Sequence, residues 1–204
     1  VLAVVLGVVV GVVAAVNRGK WIDSALMTIS VFGISAPAFW IAIILQIVIC
    51  LKFNLLPLSG IDSFKSFILP GIALGTRYAA SIARITRTSM LDVLSQDYIR
   101  TAQAKGLKGW VVTIKHALRN ALIPIITIAG SDLGNILTGS VLVESVFSIP
   151  GIGKMLVDSI NTRDLPIVQG GVMYIAVICV VMYLVVDLLY TVVDPRIRLG
   201  KESS

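Results

Sequence analysis

Charged residues are scarce in this chain. Only 14% of its 204 residues are Asp, Glu, Lys or Arg, whereas 57% are hydrophobic and the mean hydropathy is +0.96. A soluble domain of this size usually carries about 25% charged residues. The deficit argues against an ordinary soluble domain and predicts a protein of the lipid bilayer, so the net charge of +6 does not indicate nucleic acid.

Metal-ligating side chains are equally few. His116 is the single histidine, and the two cysteines, Cys50 and Cys179, lie far apart in apolar runs. A zinc helix with two histidines is therefore impossible, and packing is a better role for the cysteines than a disulfide. We predict no metal site.

Catalytic signatures are also missing. The chain contains no Gly-x4-Gly-Lys-Ser/Thr phosphate loop and no Gly-x-Ser-x-Gly nucleophile elbow. We therefore predict no catalytic residue and no cofactor in this chain.

Long apolar runs are what the sequence has instead. The bilayer core is about 30 Å thick, so about 20 apolar residues in a helix cross it. We predict an all-α polytopic membrane helix bundle with about five spans. They cover residues 1–16, 24–51, 68–91, 121–143 and 169–193, with Pro37 kinking the second span.

A hydrophilic stretch, residues 97–124, interrupts these runs. Asp97 suits a helix N-cap and Gly106 suits a left-handed helix end, so a short helix over 98–105 should precede a glycine elbow. A second, amphipathic helix follows, with Val112 as the exception to its pattern. Its apolar side should comprise Trp110, Val111, Ile114, Ala117, Leu118 and Ala121.

Two of the spans carry polar faces. Arg77, Ser81, Arg84 and Thr88 share one face of the third span, and a charge exposed to lipid is costly. Such faces should point into the bundle or into a wet cavity. Two alternatives are that Arg84 and Arg87 pair with acids or reach the interface, and that Asp132 and Asn135 only join helices. The candidates for a translocation path are Arg77, Ser81, Ser131, Asp132 and Asn135.

Basic residues orient the bundle. Twelve of the 17 fall on one side in this topology, and four fall on the other. The positive-inside rule makes the first side cytoplasmic, and this side includes residues 97–120.

Small residues and a turn add further expectations. Residues 144–168, placed outside, should contain a turn at Pro150 and then an amphipathic helix with Ile152, Met155, Leu156 and Ile160. Three glycine pairs at small-xxx-small spacing should permit close helix packing. They are Gly7 with Gly11, Gly71 with Gly75, and Gly130 with Gly134.

The segments RTAQAKG and HALRNALIP resemble the cytoplasmic loop of permease subunits of ATP-binding-cassette importers. The general form of that loop, Glu-Ala-Ala then Gly and Ile-x-Leu-Pro, is altered here in a way that resembles the dipeptide, oligopeptide and nickel branch. The stretches VESVFSIPGIG, RDLPIVQG and DPRIR extend the resemblance to nearly the whole chain.

The resemblance implies a type I importer fold with six spans, of which the first is missing here, so we expect a fragment. Residues 1–204 would form one permease domain, with a coupling loop at 92–120 and an extracytoplasmic segment at 144–168. The residues implied for ATPase coupling are Arg100, Thr101, Ala102, Ala104, Lys105, Gly106, His116, Leu118 and Arg119.

The implied partners are a second homologous permease subunit, two cytoplasmic ATP-binding subunits that hold ATP and magnesium, and an extracytoplasmic substrate-binding protein. The implied location is the plasma membrane of a bacterium or archaeon. The family pattern places no enzymatic activity on this chain.

Alternatives remain open at this point. The elbow is also compatible with a basic surface helix on an anionic leaflet, and His116 with a packing residue or a pH switch. The whole chain is compatible with an ion-driven secondary transporter, a membrane scaffold, or an importer of nickel or metal chelates rather than peptides.

Overall fold

The computed structural model describes residues 2–137 and 140–193, and at 133–135, 137, 187 and 189–193 it describes the backbone alone. Over these ranges the regular structure is entirely helical, which confirms the all-α membrane bundle. The helices are α1 Leu2–Val16, α2 Trp21–Ser35, α3 Ala38–Leu45, α4 Ile68–Leu94, α5 Asp97–Ala104, α6 Gly109–Val111, α7 Arg119–Leu137, α8 Val141–Val146, α9 Ile152–Asn161 and α10 Leu165–Val193. Two π-helical segments, Gln46–Lys52 and Val112–Leu118, follow α3 and α6, and a 3₁₀ turn spans Phe64–Phe67.

Helix α4 is the centre of the bundle. It packs against α1, α2, α3 and α7. The small buried residues Ala73, Ala80 and Ala83 let these neighbours approach its backbone closely. A displacement of α4 therefore reaches these four helices directly.

Two apolar clusters lie at opposite ends of α4. One joins α4 to α1, α5 and α7 and includes Ile82, Met90 and Ile99. The other joins α4 to α3 and α8 through Ala73, Val143 and Phe147. The first cluster places the short helix α5 against the bundle, so the elbow segment is anchored to α4.

The second predicted span is broken rather than kinked. Helices α2 and α3 are bent by 100° relative to each other at the break between Ser35 and Ala38. Ala36 adopts an extended conformation because the following Pro37 disfavours a helical one, and Pro37 itself has no N–H to donate. The predicted bend at Pro37 is therefore confirmed, but it is a break between two helices rather than a kink within one.

The fourth span also has different bounds. Its helix runs from Gly109 without a break and is described as far as Leu137, with Pro124 inside it, whereas 141–146 forms the separate helix α8. The predicted amphipathic helix and the start of the fourth span thus form one helix, whereas the extended Ser140 contradicts a continuous helix to residue 143. In contrast, α9 covers the predicted amphipathic helix after Pro150.

Length and apolarity identify two described helical stretches that are able to cross a bilayer, Gly109–Asp132 and Leu165–Val186, and a third if the bent pair counts as one span. Helix α1 is shorter, with 15 residues. Helix α4 is long enough, with 27 residues, but it carries Arg77, Arg84 and Arg87. The count of five spans remains a prediction.

Candidate functional site

The elbow between α5 and α6 turns at Gly106. Its φ of +75° confirms the predicted left-handed conformation, and a Cβ added there would meet nothing within 4 Å. Glycine is needed for its backbone freedom, since there is space for a side chain. The predicted cap is wrong: Gln96 is the N-cap residue, without a side-chain bond, and Asp97 is the first residue of α5.

The helix after the elbow buries only part of its predicted apolar side. Val112, the exception to the pattern, is only 2% exposed, whereas Trp110 and Ile114 are 68% and 50% exposed. The prediction assumed 3.6 residues per turn, but residues 112–118 are π-helical and bond from i to i+5, which changes the angle between successive side chains. The predicted apolar side is therefore divided: Ala117 and Ala121 are buried, whereas Trp110 and Ile114 are exposed.

The elbow consequently has two unlike sides. Ile99, Ala102, Val112 and Ala117 anchor its underside in the bundle. Asn120 Nδ2 donates to the Tyr98 hydroxyl at 3.1 Å and ties α5 to α7. The outer side exposes the apolar residues Tyr98, Leu107, Trp110 and Ile114 among basic residues.

The residues implied for coupling are divided between these sides. Ala102 is buried, and His116 and Leu118 are half-buried. Arg100 forms an exposed ion pair with Asp97 at 3.6 Å. The remaining coupling residues are exposed: Thr101, Ala104, Lys105, Gly106 and Arg119.

The polar face of α4 is open. Arg77, Arg84 and Thr88 are exposed and Ser81 is half-buried. Within the described chain, ion pairs shorter than 4.0 Å join only Arg87 to Asp23 and Arg100 to Asp97. Arg77 and Arg84 therefore carry unpaired charges on an uncovered face of the central helix.

Helix α7 brings a carboxylate close to this face. Asp132 is half-buried and lies within electrostatic reach of Arg77 and Tyr78. Its Oδ2 atom is shielded from solvent and accepts no hydrogen bond in the described structure. Ser131 beside it is half-buried, and the side chain of Asn135 lies outside the described residues.

The predicted packing glycines differ in their surroundings. A Cβ on Gly7 would lie 2.7 Å from the Ala79 carbonyl oxygen, and one on Gly11 would lie 2.5 Å from Thr86 Cβ, so both mark a close contact of α1 with α4. A Cβ on Gly130 would overlap Val186 of α10. Gly75 makes only ordinary contact and Gly71 faces open space. The surroundings of Gly134 lie outside the described residues.

Two polar arrangements involve residues outside the predicted sites, and the first confirms the alternative that Arg87 pairs with an acid. Arg87 binds Asp23 through two hydrogen bonds of 2.6 and 2.7 Å. Glu144 accepts the backbone N–H of Ser140 at 3.1 Å and that of Lys154 at 2.8 Å, which joins α8 to the first turn of α9. The sequence offered one indication of the Arg87–Asp23 pair. Asp23 is an isolated acid at the start of the second predicted span, and the third predicted span contains three arginines.

An all-helical bundle with mostly apolar surfaces, an open basic face on its central helix and a glycine-hinged polar elbow defines an integral membrane protein. The model of the family described as "Binding-protein-dependent transport system inner membrane component" matches residues 7–199. The chain belongs to this family, and the predicted family membership is confirmed.

Close relatives carry transport names. The chain is 46% identical over 203 residues to the dipeptide transport system permease protein DppB of Bacillus subtilis, an alignment that covers 100% of this chain and 66% of the relative. It is 46% identical over 196 residues to the glutathione transport system permease protein GsiC of Escherichia coli K12, covering 96% and 64%. The same values hold for GsiC of Shigella dysenteriae serotype 1. The chain thus spans just under two thirds of the length of these relatives.

Proposed function

We propose that this chain is a membrane-spanning subunit of an ATP-driven, binding-protein-dependent importer of di- or oligopeptides. Family membership supports the importer class, and the names of DppB and GsiC support peptides and peptide-like compounds. The proposed location is the bacterial or archaeal plasma membrane, in a multi-pass arrangement.

The single observation that carries the path proposal is the open polar face of α4. Arg77, Ser81, Arg84 and Thr88 lie on this face, and both arginines are exposed and unpaired in the described structure. An arginine facing lipid at the centre of a helix costs about 2.5–3.5 kcal/mol on insertion scales. The face is therefore covered in the membrane by water or protein, and the proposal assigns it to a translocation path shared with a second permease subunit.

The elbow is the proposed site of energy input. Its exposed apolar and basic residues suit a cleft on a cytoplasmic ATP-binding subunit, and its buried residues rest on the cluster around α4. Two such subunits, which hold ATP and magnesium, would close on ATP and displace the elbow. Because packed helices have discrete arrangements, the displacement rocks the bundle between outward-open and inward-open states.

The outer side is the proposed receiving surface. The segment 144–168 contains α9 and borders a cleft of about 570 Å³ whose lining includes Lys154, Asp158 and Asp164. An extracytoplasmic binding protein would deliver its substrate on this side of the membrane.

The test is purification of the full-length protein from its native membrane, followed by ATP hydrolysis and uptake in liposomes. The assay is run with and without the binding protein over a panel of peptides and nickel chelates. We expect ATP-binding subunits to co-purify and a peptide-loaded binding protein to stimulate hydrolysis. Uptake that persists without an ATPase and collapses with an ionophore would replace the proposal with a secondary transporter, and stimulation by chelates alone would replace the substrate class.

A further inference from the structure

Arg77 and Asp132 form an incomplete charge pair at the contact of α4 with α7. The two helices pack together, and the guanidinium lies within electrostatic reach of the carboxylate. No ion pair within 4.0 Å joins them, although both residues are described. The guanidinium is instead exposed on the open face of α4.

The carboxylate of Asp132 is only partly solvated. Its Oδ2 atom is buried and accepts no hydrogen bond, whereas the residue as a whole reaches the surface. An unpaired buried acceptor is destabilising, and an ionisable group inside a membrane bundle is rarely kept for stability. Asp132 therefore presents an unsatisfied negative charge beside an unsatisfied positive one.

We infer that Arg77 and Asp132 bind the two charged ends of a short peptide during its passage, with Asp132 accepting from the N-terminal ammonium and Arg77 donating to the C-terminal carboxylate. This inference rests on the proposed function, which makes peptides the substrate. A guanidinium offers parallel N–H donors that match a carboxylate, and an ammonium offers three donors to a carboxylate oxygen. Both ends exist in every unmodified peptide, so such a site tolerates any side chains.

A direct Arg77–Asp132 ion pair is the structural alternative. A pair of that kind would bring the two groups into contact and satisfy the buried carboxylate, as Arg87 does for Asp23 at 2.6 Å. The separation of Arg77 from Asp132 leaves both charges to a third molecule. A zwitterion satisfies both at once without adding net charge to the membrane interior.

The test measures peptide binding to the assembled transporter in nanodiscs without its binding protein, so that the selectivity of that protein does not contribute. Radiolabelled dialanine is the probe, and unlabelled dialanine, N-acetyl-dialanine and dialanine amide are the competitors. In the wild type each blocked peptide should compete at least tenfold more weakly than dialanine. Asp132→Asn should abolish only the penalty for N-acetylation, and Arg77→Gln should abolish only the penalty for amidation.

The conservative variants Asp132→Glu and Arg77→Lys should retain both penalties, which separates charge recognition from a folding defect. Asp62→Asn, in an outer loop, is the matched acidic control. Two outcomes would overturn the inference. One is the absence of saturable dialanine binding in the wild type, and the other is an equal loss of affinity for dialanine and both blocked peptides in Asp132→Asn and in Arg77→Gln. ATP-driven uptake with the binding protein is measured separately, so the proposed function stands or fails on its own.

Discussion

Asp23 and Arg87 join the first turn of α2 to the C-terminal half of α4 through a two-pronged ion pair. Arg87 Nε lies 2.6 Å from Asp23 Oδ1, and Nη2 lies 2.7 Å from Oδ2. The backbone N–H of Gly19 donates to Asp23 Oδ2 at 3.1 Å, which fixes the loop before α2 as well. Asp23 is 4% exposed, so the pair holds the entry of α2 against the helix that leads into the elbow.

Asp23→Asn should destabilise the protein because it leaves the Arg87 charge partly buried without its partner. Breaking a fully buried pair costs about 3–5 kcal/mol. The Arg87 side chain keeps 27% of its exposure, so we expect a smaller loss, about 2 kcal/mol. Thermal unfolding of the purified full-length protein checks this as a lowered midpoint.

The exchanged variant Asp23→Arg/Arg87→Asp should recover part of that loss, since it restores opposite charges at the same place. Asp62→Asn is the control for removing one carboxylate from a loop. Equal midpoints for Asp23→Asn and Asp62→Asn would show that the pair does not stabilise the bundle.

Gly11→Ala should weaken the packing of α1 on α4. The added Cβ would lie 2.5 Å from Thr86 Cβ and 2.6 Å from the Ala83 carbonyl oxygen, so the two helices must separate. Overpacking of this kind costs about 1–3 kcal/mol. The measurement is again the unfolding midpoint of the full-length protein.

Gly71→Ala is the matched control, since a Cβ there meets nothing within 4 Å and alanine favours a helix over glycine by about 1 kcal/mol. It should leave the midpoint unchanged or raise it. If Gly11→Ala behaved like Gly71→Ala, the close contact of α1 with α4 would not limit stability.

These contrasts show what the pattern of residues was able to predict. The left-handed Gly106 follows from local chemistry and is confirmed, and the resemblance in RTAQAKG is confirmed at the level of the family. The apolar runs predicted helices, but they did not predict the size of the bend at Pro37 or the separate helix α8. Gly7, Gly11 and Gly71 share the same small-xxx-small spacing. Gly7 and Gly11 lie where α1 contacts α4, whereas Gly71 lies on a part of α4 that no neighbouring helix covers. Spacing alone contains no information on the position of α4.

The errors have similar causes. A proline in a span predicts a bend, but its size of 100° at Pro37 depends on how α3 packs against α4 and α8. The burial of both Val112 and Ala117, five residues apart, with Ile114 exposed between them, follows from a π-helical segment that a wheel of 3.6 residues per turn cannot represent. The Asp23–Arg87 pair joins residues separated by 64 positions, which no local pattern indicates.

Gly106→Val should uncouple ATP hydrolysis from substrate while leaving membrane insertion intact. The backbone there has φ +75°, and a β-branched residue is strained in that conformation by about 1–2 kcal/mol or more. The elbow would open and displace its exposed side from the ATP-binding subunit. The measurement is hydrolysis stimulated by a loaded binding protein.

Gly106→Asn should keep much of the stimulation, because asparagine tolerates the left-handed region. Gly109→Ala is the control: its surroundings are equally open, but it lies in α6 with ordinary backbone angles. Undiminished stimulation in Gly106→Val would contradict the role of the elbow as a lever.

Glu144 and Gly151 should behave as a coupled pair. Glu144 caps the start of α9 through the Lys154 N–H, so Glu144→Ala should cost about 1–2 kcal/mol. Gly151→Ala should also destabilise the protein, because its Cβ would overlap the Glu144 carboxylate. In the double variant the carboxylate is absent and this overlap disappears. The unfolding midpoints of the wild type, the two single variants and the double variant should therefore show that the double variant loses less stability than the sum of the two single losses. Additive losses would show that Glu144 and Gly151 affect stability independently.

The path proposal predicts which engineered cysteines meet water. A thiol reacts as the thiolate, which forms in water and not in lipid. Thr88→Cys and Ser81→Cys lie on the polar face of α4, whereas Val177→Cys lies on an exposed apolar side of α10 that suits lipid. In a Cys179→Ala background, a charged membrane-impermeant thiol reagent should modify the two α4 positions at least tenfold faster than position 177.

The rate of modification at the two α4 positions should also differ between the ATP-bound and the nucleotide-free transporter, since alternating access exposes the path to one side at a time. Equal, slow modification at all three positions in both states would place the face of α4 in a dry contact between helices and remove it from the path.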